Sequence, residues 1–470
     1  MPLLSQQFLP WLFPRLLGVV YFAAFWSLLV QVRGLFGSHG ILPIASYLAA
    51  IREGVRKPDY LDFPTIFWLN SGDRALVGGC LAGLLLSILL IAGAPPVPLL
   101  ILLWLLYLSY VSVGQEFLAY QWDTLLLEVG FMTIFLPLAS PAPPLVVFAY
   151  RFFLFRFMIS AGAVKLLSGD PIWRSLTALC YHYQTQPIPN RPAWYAHQMP
   201  LSIQKLSTLL TLLLEVGAPI LALGPEPARL ACLALMILLQ LLIAGTGNYG
   251  FFNLLTIVMC LPLLDDGLAG RFLDLPQALP YEPAVIAVSV VFGIFIILNL
   301  CQLVLLVHRG RWLIRPLMRI SQFMITNHYG LFAVMTTERY EFVIEGSLDG
   351  NQWQEYEFRW KPGDPQRPPR QAAPHMPRLD WQMWFAALDP NRLEPWLKNF
   401  IVRLLQGHRE VTSLLAVNPF PDTPPTYIRV TVYRYNFSDY HQRRRESIWW
   451  SRTLIGRFQP MKLQIHKQPA

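Results

Sequence analysis

Charge is scarce in this chain: only 14% of its 470 residues are Asp, Glu, Lys or Arg, against roughly 25% in an ordinary globular protein. That scarcity excludes the two or three soluble domains that length alone would allow. Cysteine is scarce too. Cys80, Cys180, Cys232, Cys260 and Cys301 include no CxxC and no paired spacing, so neither a disulfide framework nor a zinc site is supported. The glycine fingerprint of dinucleotide binding, a G-x-S-x-G elbow and an H-E-x-x-H helix are all missing, and with them any implied metal or cofactor. His182 and His197 stand without a nearby acidic partner, which makes a poor metal site.

Apolar residues take the place of charge: hydrophobic types make up 54% of the chain. A span needs roughly twenty of them to cross a hydrocarbon core of about 30 Å. The candidates are 11–32, 75–93, 97–113, 125–140, 145–167, 206–223, 228–246, 250–264 and 283–307, about nine in all. Residues 125–140 and 250–264 are short and predict re-entrant or tilted segments. The first stretch lacks a basic leader and a small-residue cleavage site, so it reads as a retained span. Two connections, 33–74 and 168–205, exceed the roughly fifteen residues of an ordinary loop. The second is dense in aromatics and prolines and predicts an ordered cap.

After residue 307 the pattern changes. Residues 308–319 form a basic juxtamembrane connector, and residues 320–470 form an extramembrane domain. Tyr340 to Glu345 and Trp353 to Trp360 alternate around Asp349-Gly350, a hairpin signature. Residues 361–378 are Pro- and Arg-rich and read as loop, 381–388 and 393–406 as helices, and Tyr427 to Phe437 as a strand. The fold class is therefore a membrane α-helical bundle followed by a small α+β or β-sandwich-like domain. The formal charge of +9 gathers after His308. Beside a bundle, that basicity points to the lipid bilayer as partner and not to nucleic acid.

Ionisable groups inside spans cost roughly 2.5–3.5 kcal/mol each at a helix centre on insertion scales. Glu128, Arg151, Arg156, Lys165 and Glu215, with Asp123 just outside, therefore predict a buried charge network, Glu128 pairing with Arg151 or Arg156. Lys165 lies in Ser160-Ala-Gly-Ala-Val-Lys165, where small residues let helices approach. A desolvated lysine there is also the candidate base of an intramembrane enzyme.

Longer motifs carry a resemblance. Trp173 to Asn190 and Gly247-Asn-Tyr-Gly-Phe-Phe-Asn-Leu-Leu-Thr256 closely resemble the signature segments of the lipase maturation factor family. In the tail, Asn327-His-Tyr-Gly-Leu-Phe332, Glu345-Gly-Ser-Leu-Asp-Gly350, Pro377 to Ala387, Asn418-Pro-Phe-Pro421 and Pro424 to Arg429 look like its C-terminal region. The resemblance implies a multi-pass protein that helps secreted polypeptides, lipases among them, to fold or assemble. It also implies that cap and tail face the endoplasmic reticulum lumen, or the periplasm if the source is bacterial. The Lys and Arg count of loop 33–74 and of the tail would instead make that side cytoplasmic. Trp173, Tyr181, His182, Tyr183 and Trp194 are the candidate client-binding residues, since aromatics are enriched in interface cores. A fainter similarity covers Arg156 to Trp173, which looks like the core of the vitamin K-dependent carboxylase and its transmembrane relatives. There a lysine serves as base, and the alternative function is a Lys165-dependent enzyme acting on a lipid, quinol or peptide.

Overall fold

The computed structural model describes residues 5–54, 60–275, 282–308 and 310–463. Arg56 and Lys57 of loop 33–74, Arg309 of the connector and the last seven residues of the tail lie outside them. Seven helices among the described residues are long and apolar enough to cross a membrane: α1 (Phe8–Leu29), α2 (Asp73–Ala92), α3 (Pro96–Val113), α5 (Pro144–Leu167), α6 (Leu201–Val216, continued by a 3-10 turn, Ala218–Leu223), α7 (Glu226–Thr246) and α9 (Glu282–Val307). The two short candidates become α4 (Gln121–Phe135) and α8 (Phe252–Met259), each extended by a 3-10 turn.

These two still run from one end of the bundle to the other. Gln121 bonds Gly330 at the tail end, while Ala142, just beyond α4, pairs with Gln6 at the far end. Leu264, just beyond α8, accepts from the same Gln6. Nine passes result among the described residues. Loop 33–74, cap 168–205 and the tail consequently share one end of an integral, multi-pass bundle.

Burial separates centre from rim. The apolar window of α5 is 72% buried and that of α1 61%, whereas α7 and α9 are 22% buried. The low values belong to helices whose apolar surface has no protein partner, as lipid contact requires. A Cβ added to Gly162 of α5 would stand 2.5 Å from Val216 of α6. The absent side chain is what lets these two helices touch.

The tail opens with the short basic helix α10 (Arg311–Ser321). It then forms one antiparallel sheet in the order β2 (Gln354–Glu355), β1 (Arg339–Ser347), β3 (Tyr427–Phe437) and β4 (Trp450–Arg457). A single sheet with helices α11 (Arg378–Ala387) and α12 (Pro395–Leu405) is α+β; no second sheet faces it among the described residues. The expected hairpin is present, but its second arm pairs through two residues only, Gln354 and Glu355. The chain then turns away, because Trp360 and Lys361 donate their backbone N–H groups to Asp380 instead of to a strand, at 2.8 and 2.9 Å. Strand β4, absent from the sequence reading, completes the other edge.

Candidate functional site

Three short helices build the cap, Pro171–Arg174, Ala178–Thr185 and Arg191–His197. Asp170 and Asn190 start the first and third, each accepting a backbone N–H at 2.9–3.0 Å, the role short polar side chains take at helix N-termini. Asn190 also donates to Gln371 at 2.7 Å. Asn248, between α7 and α8, donates to the Arg370 carbonyl and accepts from the Ala372 and Ala373 amides. The Pro- and Arg-rich stretch 361–378 is thus irregular, as expected, but ordered as a strap. Ser27 of α1 and Gln31, just beyond its end, bind its Met376 backbone.

Charges complete the docking. The Arg378 guanidinium meets both oxygens of Asp123 at 2.8 Å, with neither side chain exposed. Tyr107 donates to the same carboxylate at 2.5 Å, and the Phe117 carbonyl accepts from Arg378 at 2.7 Å. Bidentate geometry of this kind is the strong form of an ion pair. Arg156 pairs with Glu128 at 2.5 Å, while Asn327 and Tyr329 of the tail donate to the other Glu128 oxygen at 2.7–3.0 Å. Arg339 of β1 pairs with Glu341 and donates to the carbonyls of Gln184, Gln186 and Pro187 in the cap. Bundle, cap and tail are therefore joined by buried, multiply bonded groups.

The five charges expected inside the spans divide into three separate clusters. Arg156, not Arg151, takes Glu128. Arg151 lies near the start of α5, at the opposite end, where it shares Asp265 with Arg229. Five residues at 3.6 per turn set the two arginines about 140° apart around the helix and about 7.5 Å apart along it, so they face different neighbours. Lys165 pairs with Glu215 at 2.7 Å and donates to the Ala161 carbonyl at 2.9 Å. Its ammonium also sits 5.4 Å from the Trp173 ring centre. Both bonds engage Nζ as the donor.

That pair borders a cavity of about 540 Å³ between α5, α6, α7 and the cap. His182 and Tyr249, bonded to each other at 3.0 Å, face it as well. Burial, reinforced by the positive charge of Lys165, pushes the His182 imidazole down to about 4. Trp173 and Tyr183 line the same space. Trp173 is buried and donates to the Phe332 carbonyl at 2.9 Å, and Tyr181 packs partly buried beside it. Trp194 is wholly buried against Tyr435, Trp449 and Trp450 of the tail. These side chains therefore face inward, toward the cavity or the tail.

A second hollow, a groove of about 300 Å³, opens where cap meets tail and is lined by Met335, Glu338, Tyr340, Trp384 and Leu388. Trp384 donates to the Thr185 carbonyl of the cap at 2.7 Å. Of its lining, Leu388 is 46% exposed, and Val334 and Phe385, next in the chain to Met335 and Trp384, are 69% and 42% exposed. Sequence reasoning missed this rim. Val334 and Leu388 stand at irregular positions, and Phe385 reads as a packing residue of its helix. It also missed Arg378, Asn248 and Asp265, although Arg378 and Asn248 lie within quoted motifs.

Residues 9–271 match the family model described as the lipase maturation factor transmembrane domain, and residues 325–460 the lipase maturation factor C-terminal domain. Lipase maturation factor 2 of Xenopus tropicalis is 33% identical over 94% of this chain and 81% of that protein. Its human counterpart is 34% identical over 96% and 82%. Lipase maturation factor 1 of Mus musculus is 33% identical over 97% and 87%. No solved structure matches the chain. Both halves of the polypeptide, together with the motifs that join them, carry this likeness, and the chain belongs to the lipase maturation factor family.

Proposed function

We propose that the chain, a membrane-bound maturation factor, holds a secreted lipase at the seam between cap and tail while that client folds or assembles. The observation that carries this reading is the groove of about 300 Å³ with exposed Leu388 in its wall and exposed Val334 and Phe385 next in the chain to its lining residues Met335 and Trp384. Large apolar side chains gathered around a concavity mark interaction surfaces more often than isolated ones do. An incompletely folded client still exposes apolar segments that such a rim can cover. Trp173, Tyr181, His182, Tyr183 and Trp194 serve the client indirectly, by setting the shape of the cap against which the groove-lining segments pack.

The side of the membrane follows from the client. A secreted polypeptide folds in the endoplasmic reticulum lumen or, in a bacterium, outside the inner membrane, so the end bearing cap and tail faces there. The cationic residues of the tail oppose this orientation only weakly, because folded domains cross largely regardless of charge.

Pull-down of a co-expressed secreted lipase tests the seam, using the wild type and the triple substitution Val334→Asp, Phe385→Asp and Leu388→Asp. Client recovery is expected to fall by about tenfold or more, the loss of roughly 1.4 kcal/mol of contact. Equal recovery from a well-folded triple variant removes the seam from the binding surface.

A further inference from the structure

Lipid chemistry is written into the larger cavity independently of any client. We propose that it binds an uncharged acylglycerol, drawn sideways from the bilayer with its hydroxyl head lodged under the cap.

The mouth identifies the source. Leu210 of α6 and Leu238 and Leu242 of α7 both line the cavity and are exposed, at 48%, 49% and 54%. They stand on apolar helices whose outer faces have little protein cover, so the opening meets acyl chains and not water. Its volume of about 540 Å³ falls within the roughly 300–1,000 Å³ of small-molecule sites.

The closed end selects the head group. Among the described residues of the wall, Lys165 is the one fixed cation and Glu215 the one anion, and they neutralise each other at 2.7 Å. His182 adds no charge at neutral pH, since burial and the nearby Lys165 push its imidazole down to about 4. A net-anionic phosphate or carboxylate head that took Lys165 would leave Glu215 buried without its partner. A hydroxyl head meets no such cost. It can donate to the Glu215 carboxylate or engage the His182–Tyr249 pair, and in a water-poor site every such bond matters. Lys165 lies in the last turn of α5, on the cap side, so head and mouth are set for an amphiphile that stands along the helices with its tails toward the gap between α6 and α7.

The test uses the full-length chain in detergent with a photoactivatable diacylglycerol, followed by mapping of labelled peptides. Label is expected on α6 and α7. An excess of unlabelled diacylglycerol should compete it away, while the same excess of phosphatidylglycerol or phosphatidylcholine should not. Thr211→Trp, which fills the interior, should reduce labelling by about tenfold, as a lost contact of roughly 1.4 kcal/mol would. Leu238→Trp narrows the mouth from an exposed position that a larger ring can occupy, so it gives the same readout if the first variant folds poorly. Absence of label on α6 and α7, or labelling indifferent to both substitutions, overturns the site. Equal competition by phospholipid overturns the selection of an uncharged head. Client recovery does not enter this readout, so the lipid site and the client seam can fail separately.

Discussion

At the far end of the bundle, Asp265 is divided between Arg151 and Arg229 and keeps 26% of its side chain exposed. At the cap end, Asp123 and Arg378 are fully enclosed, and Glu128 and Arg156 nearly so, at 1% each. The far cluster links α5, the start of α7 and the turn after α8, all within the bundle. The cap-end clusters take Arg378, Asn327 and Tyr329 from the tail. Polar groups at one end therefore set helix register beside water, whereas those at the other end fasten a second domain onto the membrane domain. The tail is consequently expected to unfold together with the bundle.

Arg378→Met is the harshest way to break this contrast. It leaves Asp123 buried with Tyr107 as its remaining side-chain donor, a loss expected to cost about 3–5 kcal/mol. Thermal unfolding in detergent should shift accordingly, and brief proteolysis should release the tail. Adding Asp123→Leu to Arg378→Met should restore most of the stability, because a pair removed whole leaves no uncompensated charge. A single variant with wild-type melting and an uncut tail would mean that the two domains are not joined through this pair.

Acidification is a milder probe of the cap end. His375, on the strap, accepts or donates at 3.0 Å with Ser27. Burial first, then Arg378 and Arg359, lower its imidazole from 6.5 to about 4. The unfolded chain takes up the proton first as pH falls below 6.5, so the contribution is complete above that value and is lost on descent toward 4. Partial solvent access reduces the full effect to roughly 1–2 kcal/mol. Melting temperature compared at pH 7.5 and 5 should therefore drop in the wild type and drop less in His375→Asn. His182, lowered in the same direction, accounts for part of the remaining slope. Identical slopes in the two proteins would exclude His375 as a contributor.

What the sequence discloses follows the same division. Spans, cap, tail and the presence of paired charges are legible because each is a matter of hydropathy, loop length or the cost of an isolated charge in lipid. Even the short segments 125–140 and 250–264 declare themselves, and they prove, like α6, to need a 3-10 turn to complete their pass. Partner choice is less legible. Glu128 has two arginines within reach on paper, and only the helix-to-helix alignment decides for Arg156. Arg378 and Asp123 lie 255 residues apart, and no periodicity relates them. The groove is invisible for the same reason, since Val334 and Leu388 are ordinary loop and helix-end residues until the cap is folded beside them.

Arg229→Ala at the far end should sharpen the comparison by doing little. Asp265 would retain Arg151 at 3.3 Å and its 26% exposure to solvent, so no buried charge is left without a partner, the case that costs most. Arg151 would keep its second partner as well, the Pro262 carbonyl at 2.7 Å. The expected result is a melting shift several times smaller than that of Arg378→Met, reduced further by salt because the site is open to screening. A loss as large as that of Arg378→Met would reverse the assignment of roles to the two ends. Asp265 would then be as much a structural keystone as Asp123, and the exposure that separates them would not govern what a charge contributes in this bundle.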